Sequence, residues 1–249
     1  MKKYLLPQVE SWKEWGGIFT DVAVWEPVVR DICSLEGLPF SPMEASFPGT
    51  NAVFILDRKY VVKVFTPFWQ DFDVELELHA VLSSYGKIPI PSIVSTGVFA
   101  DRIDWPYLIT EYINGTPMRE VREHIGKENL LEMGKELGEI VRELHQINLA
   151  TVKSVERTKE SWSVFLQRRR AQCISELRQK AILPRKIVDE LQVLLQKNIG
   201  QFEQCPLALV HGDLTEEHLL LEQREDKWVI IGLIDFGDAR AGARKYELP

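Results

Sequence analysis

LVHGDLTEEHLL, residues 209–220, sets His211, Asp213 and His218 on one short polar loop between two apolar anchors. A second stretch, GLIDFGDA at 232–239, ends an apolar run with Asp235 and follows it with Gly237, which allows a sharp turn directly after the carboxylate. A carboxylate at 213 can orient an attacking hydroxyl and take its proton late in a reaction. A neutral imidazole at 218 can ligate a cation or support that carboxylate. A carboxylate on a rigid strand end at 235 suits Mg2+, which takes hard oxygen ligands in octahedral geometry. Singly, each has an ordinary explanation, since Asp caps turns and His fills core gaps. Together they predict a metal–phosphate site held between two loops.

The rest of the chain is compatible with that site. Its 249 residues suffice for one large domain or two lobes with a real core. A hydrophobic content of 45% and a charged content of 27% are those of an ordinary globular protein. The net charge of −7 argues against a nucleic-acid partner, which demands clustered Lys and Arg. Cys33, Cys173 and Cys205 are scattered and form no CxxC pair, so we expect reduced thiols, no zinc site and a cytoplasmic setting. The N-terminus MKKYLLPQVE is not a signal peptide, and no apolar run reaches the ~18 residues of a membrane helix. We therefore expect no membrane partner, and a monomer or weak dimer.

WEPVVRDICSLEGL (25–38) reads as a helix with Pro27 in its first turn and Gly37 near its end. NAVFIL and YVVKVF, joined by DRK, read as a β-hairpin. DFDVELELHAVLSSYG (71–86) reads as a helix with Phe72, Leu76, His79 or Ala80, and Ser83 on one stripe. KIPIPSIVSTGVF and WPYLITEYI are extended, and the turn NGTP closes the second. Beyond Gly115 the character turns helical. In KENLLEMGKELGEIVRELHQINL the residues Leu130, Leu131, Gly134, Leu137, Val141 and Leu144 recur at helical spacing, and Gly134 with Gly138 suggests close packing on a neighbour. Two more helices are expected over 159–180 and 185–199, split by Pro184, before strands return at LALVHGDL, HLLLEQ and KWVIIGLIDF. QRRR (167–170) reads as a solvated helix face, and the seven tryptophans as packing residues.

Lys63 lies among apolar strand neighbours, where an ammonium is costly unless it meets an anion. The next helix offers Glu75, with Glu77 as the alternative, to pair with it and aim it at a phosphate. Just upstream, the turn formed by Gly49, Thr50 and Asn51 can bring backbone N–H groups to phosphate oxygens, although most such turns are only turns.

The ordered set of Lys, Glu, H-x-D-x-x-x-x-H and D-F-G resembles the aminoglycoside phosphotransferase family, the small-molecule branch of the protein-kinase-like fold. The likeness runs from about Gly49 to Glu247. It is strongest in VHGDLTEEHLLL and GLIDFGDA, and LITEYINGTPM is similar to the family's adenine-contacting strand and hinge. The resemblance implies that Lys63, held by Glu75, binds the α- and β-phosphates, with the Gly49–Asn51 turn beside them. It implies that the backbone of Glu111 and Ile113 meets the adenine edge, that Asp213 is the catalytic base, that His218 and Asp235 hold Mg2+, and that His211 braces the loop. Gly212 fits the small-molecule branch. His218 stands where Asn is usual, and an imidazole prefers softer ions than magnesium.

The implied fold is α+β and bilobal: a nucleotide-binding lobe over 1–112 with an antiparallel sheet and one main helix, then a mainly helical catalytic and acceptor-binding lobe over 113–249. Relatives usually continue into further C-terminal helices, so the chain is expected to lack the last of them. The implied activity is transfer of the γ-phosphoryl group of ATP or GTP to a small-molecule hydroxyl. Aminoglycoside, macrolide, amino alcohol, sugar and amino acid acceptors all share these motifs. The alternative is a catalytically inactive nucleotide- or metabolite-binding protein of the same fold.

Overall fold

A computed structural model describes residues 4–69, 71–158 and 160–247. The chain opens with α1 (Trp12–Gly16) and α2 (Val22–Leu35), then builds β1 (Met43–Ala45), β2 (Ala52–Leu56) and β3 (Tyr60–Val64). After α3 (Phe72–Tyr85) come β4 (Ile93–Ala100) and β5 (Asp104–Glu111). The second half holds β6 (Thr116–Pro117), α4 (Met118–Val121), α5 (Lys127–Leu144), α6 (Lys153–Thr158), α7 (Trp162–Lys180) and α8 (Arg185–Glu203). It ends with β7 (Leu207–Val210), β8 (Leu219–Arg224), β9 (Lys227–Leu233) and β10 (Arg240–Ala243). The mixed α/β architecture, with its antiparallel sheet first and its helices after, is the expected α+β class.

The first five strands form one antiparallel sheet in the order β1-β2-β3-β5-β4. One face packs Phe54, Leu56, Val62, Val64, Tyr107 and Ile109 against Trp15, Trp25 and Trp105, whose rings meet at 5.6–5.9 Å. By strand alternation Lys63 points to the other face, between Val53 and Leu108 in register. The tryptophan expectation holds for these three but not for Trp12 and Trp69, which are exposed.

α2 begins three residues before the expected start, because the Asp21 carboxylate accepts from the N–H groups of Ala23 and Val24 and caps it. Pro27 therefore lies in the second turn. The helix expected from residue 159, itself outside the described residues, begins at Trp162.

The phase of α3 differs from the expected stripe. Val74, Glu75, Leu78, His79 and Leu82 face inward, while Phe72 and Leu76 are half-buried and Ala80 and Ser83 are exposed. Val74, Leu78 and Leu82 pack with α5 residues Met133, Ile140 and Leu144 and with Leu219, Leu221, Leu233 and Phe236, in a second core. Leu131 is exposed, and a Cβ added at Gly134 or Gly138 would meet nothing within 4 Å, so neither glycine serves close helix packing. Leu130, Leu137, Val141 and Leu144 of the expected stripe do face the core, joined there by Met133 and Ile140 in place of Leu131 and Gly134.

Candidate active site

Lys63 is the centre of a charge cluster. Its Nζ lies 2.5 Å from Glu75 Oε2 and 3.0 Å from Asp235 Oδ1. Glu75 is thus the partner on α3. Glu77 points elsewhere and accepts the Ser154 N–H at 2.6 Å. Burial opposes the charge on Lys63, but Asp235 and Glu75 outweigh it and hold its pKa above the ordinary lysine value. Burial pushes Glu75 up to about 7, against the pull of Lys63. Asp235 is half-exposed, and Lys63 overrides the effect of burial to keep its carboxyl well below the usual range.

The hairpin of β8 and β9 brings the two motif loops together. Leu219 pairs with Leu233, and the Ile234 N–H donates to His218 O at 3.1 Å. His218 Nε2 then lies 3.6 Å from Asp235 Oδ2, and its Nδ1 lies 3.7 Å from Asp213 Oδ2. Asp235 adopts φ 65° and ψ 69°, a left-handed conformation that costs an L-residue about 1–2 kcal/mol and aims its carboxylate back toward Lys63. Lys63, Asp235, His218 and Asp213 form one unbroken run of contacts. Asp213 is half-exposed, and burial raises its pKa, with Asp238 acting in the same direction and His218 against it.

Backbone bonds fix both imidazoles. His211 Nε2–H donates to Ile234 O at 3.0 Å, and its Nδ1 accepts the Asp213 N–H at 3.3 Å, so the ring is neutral with both nitrogens committed. His218 Nδ1 bonds Asp213 O at 2.7 Å, and in the neutral ring Nε2 keeps a lone pair facing Asp235. That lone pair and the Asp235 carboxylate are a chemically suitable pair for a divalent cation. No group of three or more His, Cys, Asp or Glu side chains forms a metal cage among the described residues. One or two protein ligands completed by phosphate oxygens is a common arrangement for Mg2+.

Gly212 connects the two histidine-bearing segments at φ +86°, and a Cβ there would be driven into the Asp238 carbonyl. Its N–H donates to Glu247 Oε1 at 3.0 Å, and the His211 N–H donates to Glu247 Oε2 at 2.9 Å. Glu247 is buried, and burial raises its pKa while the two N–H groups lower it. Nothing in the sequence marks this residue, because its partners are backbone groups more than thirty positions away. Glu247→Ala orphans both donors and is expected to lower unfolding free energy by about 2–4 kcal/mol. Urea denaturation measures it, and an unchanged midpoint would show that the loop does not depend on this carboxylate.

Of the remaining predicted residues, Gly49 and Thr50 are exposed, and Gly49 has open space around its Cα. Thr50 O accepts the Trp15 indole N–H at 2.8 Å. Asn51 is buried: its Oδ1 accepts the Thr66 N–H at 2.9 Å and its Nδ2 donates to Asp71 Oδ2 at 2.7 Å. At the end of β5 the Glu111 N–H donates to Ser92 O, so that N–H is already committed. The Ile113 carbonyl accepts from Gly115, and its side chain lies against Gly232 of β9.

His79, one turn after Glu75, is buried beside Phe236, with Nδ1 unpartnered among the described residues. Burial, then Lys63, lowers its pKa to about 4, and burial lowers that of His211 to about 4 as well. The unfolded chain binds protons at these histidines below pH 6.5 while the native chain does not until about 4. Each therefore removes stability as pH falls through that window, on the order of 2 kcal/mol by pH 5. Glu75 acts in the opposite direction, because the native chain takes up its proton first. The His79→Leu variant isolates one histidine. Its stability should fall less steeply than that of the unaltered chain between pH 7 and 5, and parallel curves would contradict the assignment.

The profile of the Phosphotransferase enzyme family (APH) matches residues 49–248. Among solved structures, the GDP and kanamycin complex of APH(2")-IIia superposes with a TM-score of 0.71 at 17% identity, over 90% of this chain and 76% of that one. The streptomycin–ATP–APH(2")-IIa ternary complex gives 0.63 at 19% identity, over 91% and 74%. The aminoglycoside phosphotransferase APH(3'')-Id from Streptomyces rimosus gives 0.60 at 19% identity, over 92% and 81%. These likenesses show a common fold, and with the profile spanning most of its length the chain belongs to the phosphotransferase enzyme family, on the protein-kinase-like fold.

Proposed function

We propose that the chain transfers the γ-phosphoryl group of ATP or GTP to a hydroxyl of a small molecule, with Mg2+ bound. The observation that carries this reading is the continuous run of Lys63, Asp235, His218 and Asp213, which offers a phosphate-binding ammonium, a metal-binding carboxylate and a basic carboxylate in that order. Phosphoryl transfer needs little covalent chemistry from a protein; it needs positioning and neutralisation of charge.

Lys63, oriented by Glu75, would bind α- and β-phosphate oxygens. The exposed backbone of Gly49 and Thr50 would face the phosphates, and the Glu111 carbonyl with the Ile113 N–H would read the base. Asp235 and the His218 Nε2 lone pair would hold Mg2+. When bound, the cation neutralises charge on the β- and γ-phosphates. Asp213 would align the acceptor hydroxyl and accept its proton, and a raised pKa makes it a better base for that task. His218 holds the Asp213 carbonyl and His211 its N–H, so both backbone groups of the catalytic residue are fixed.

We also propose lobes over 1–112 and 113–249. Lys63 on β3 in the first pairs with Asp235 after β9 in the second, so the ion cluster would span the two.

Aminoglycosides are the first acceptors to test, because the neighbouring complexes named above carry kanamycin and streptomycin. A panel of aminoglycosides, macrolides, amino alcohols, sugars and amino acids, scored for ADP or GDP release and for phosphorylated product, tests the reading. Product from one acceptor class supports it. Nucleotide binding with no product from any class would favour the inactive binding protein.

A further inference from the structure

The glycine turn that precedes β2 is held in place by two contacts that its short motif does not suggest. On one side the Trp15 indole N–H donates to Thr50 O at 2.8 Å, from a helix near the N-terminus. On the other side the Asn51 amide bonds through both its oxygen and its nitrogen. Its oxygen accepts the Thr66 N–H at 2.9 Å, just beyond β3, and its nitrogen donates to Asp71 Oδ2 at 2.7 Å. Asn51, Thr66 and Asp71 are each at most 6% exposed, so water does not compete for these bonds.

Asp71 is the junction. Its carbonyl accepts the Glu75 N–H at 2.9 Å and starts α3 one turn before the partner of Lys63. Its carboxylate also lies against Gly237: a Cβ at that glycine would come within 2.8 Å of Asp71 Oδ2. One residue thus touches the glycine turn and the turn that follows Asp235 with its side chain, and the helix of Glu75 with its carbonyl. Three of the pieces assigned to the triphosphate meet there. Nothing in the reaction chemistry uses Asp71, and its Oδ1 has no partner among the described residues.

We propose that the Asn51–Asp71 hydrogen bond is a positioning latch that sets the glycine turn relative to Lys63 and Asp235, so that Asn51 and Asp71 determine nucleotide affinity without touching the nucleotide. This inference rests on the phosphotransferase reading. The latch acts before chemistry: it orders the turn so that binding does not have to. Breaking it weakens nucleotide binding and leaves the rate at saturation largely intact.

The measurement is binding of fluorescent ATP and GTP analogues to the full chain with Mg2+, alongside thermal melting without nucleotide. Asp71→Ala and Asn51→Ala should each weaken binding about tenfold, and the double variant should lose little more, because both break the Asn51–Asp71 bond, with Asn51→Ala also stranding the Thr66 N–H. Asp71→Asn keeps an oxygen for the Asn51 amide and should restore affinity to within about twofold. Where turnover is measurable, KM for nucleotide rises with kcat changed less than about threefold.

Wild-type affinity in both alanine variants would overturn the latch, as would additive losses in the double variant or an Asn variant no better than Ala. If one alanine variant fails to fold, the other, set against Asp71→Asn, still decides the matter. Because the readout is binding, the latch can fail while phosphoryl transfer stands. Tight, latch-dependent binding with no transfer would instead sink the phosphotransferase reading and leave the latch.

Discussion

Asp213→Asn is expected to bind ATP and GTP analogues like the unaltered chain and to transfer phosphoryl roughly a thousandfold more slowly. The amide keeps the shape of the carboxylate and keeps the backbone bonds from His211 and His218, which involve the Asp213 N–H and carbonyl and not its side chain. It removes the group proposed to receive the acceptor proton. Binding is preserved because the residues that would hold the nucleotide lie on the Lys63 and Asp235 side of the cluster. Initial rates at saturating nucleotide measure the effect. Turnover within about tenfold of the unaltered chain would remove Asp213 from the reaction.

Lys63→Met has a second, separable consequence. Glu75 is 3% exposed and would lose the Lys63 ammonium, while Asp235 and Asp71 nearby would lose it too. Removing one partner of a buried pair costs about 3–5 kcal/mol, because the remaining charge stays buried. The variant should therefore unfold at clearly lower urea concentration as well as lose nucleotide binding. The double variant Lys63→Met with Glu75→Leu should recover much of the stability and none of the binding. If the double variant is no more stable than the single one, the cost does not come from a stranded carboxylate.

How much of this was legible in the sequence depends on the range of the determining contacts. The hairpin carrying Lys63 was readable because NAVFIL and YVVKVF are runs of β-branched and aromatic residues joined by the short DRK turn. The loops 211–218 and 235–237 were readable because their polar residues interrupt apolar runs at fixed spacing. The phase of α3 was not. Phe72 and Leu76 suggested one stripe, but Glu75 turns inward to meet an ammonium twelve residues away, and His79 follows it one turn later. Hydrophobicity cannot mark an inward glutamate.

Glu247 and Asp71 were missed for a related reason. Both act on backbone N–H or amide groups brought to them by the fold, and a carboxylate with that task looks like any surface acid in a linear chain. Asn51 shows the reverse case. The turn was found, but its buried side chain belongs to the scaffold, and the exposed backbone beside it is what a phosphate can reach.

The most direct measurement is a crystal structure of the chain with a non-hydrolysable triphosphate and Mn2+ in place of Mg2+, the metal located by its anomalous scattering. The account predicts a metal peak against Asp235, on the side of the His218 Nε2 atom, with the Lys63 ammonium on the phosphates and the Asp213 carboxylate facing the terminal phosphate. A triphosphate bound away from Lys63, or a metal with no contact to Asp235, would contradict it.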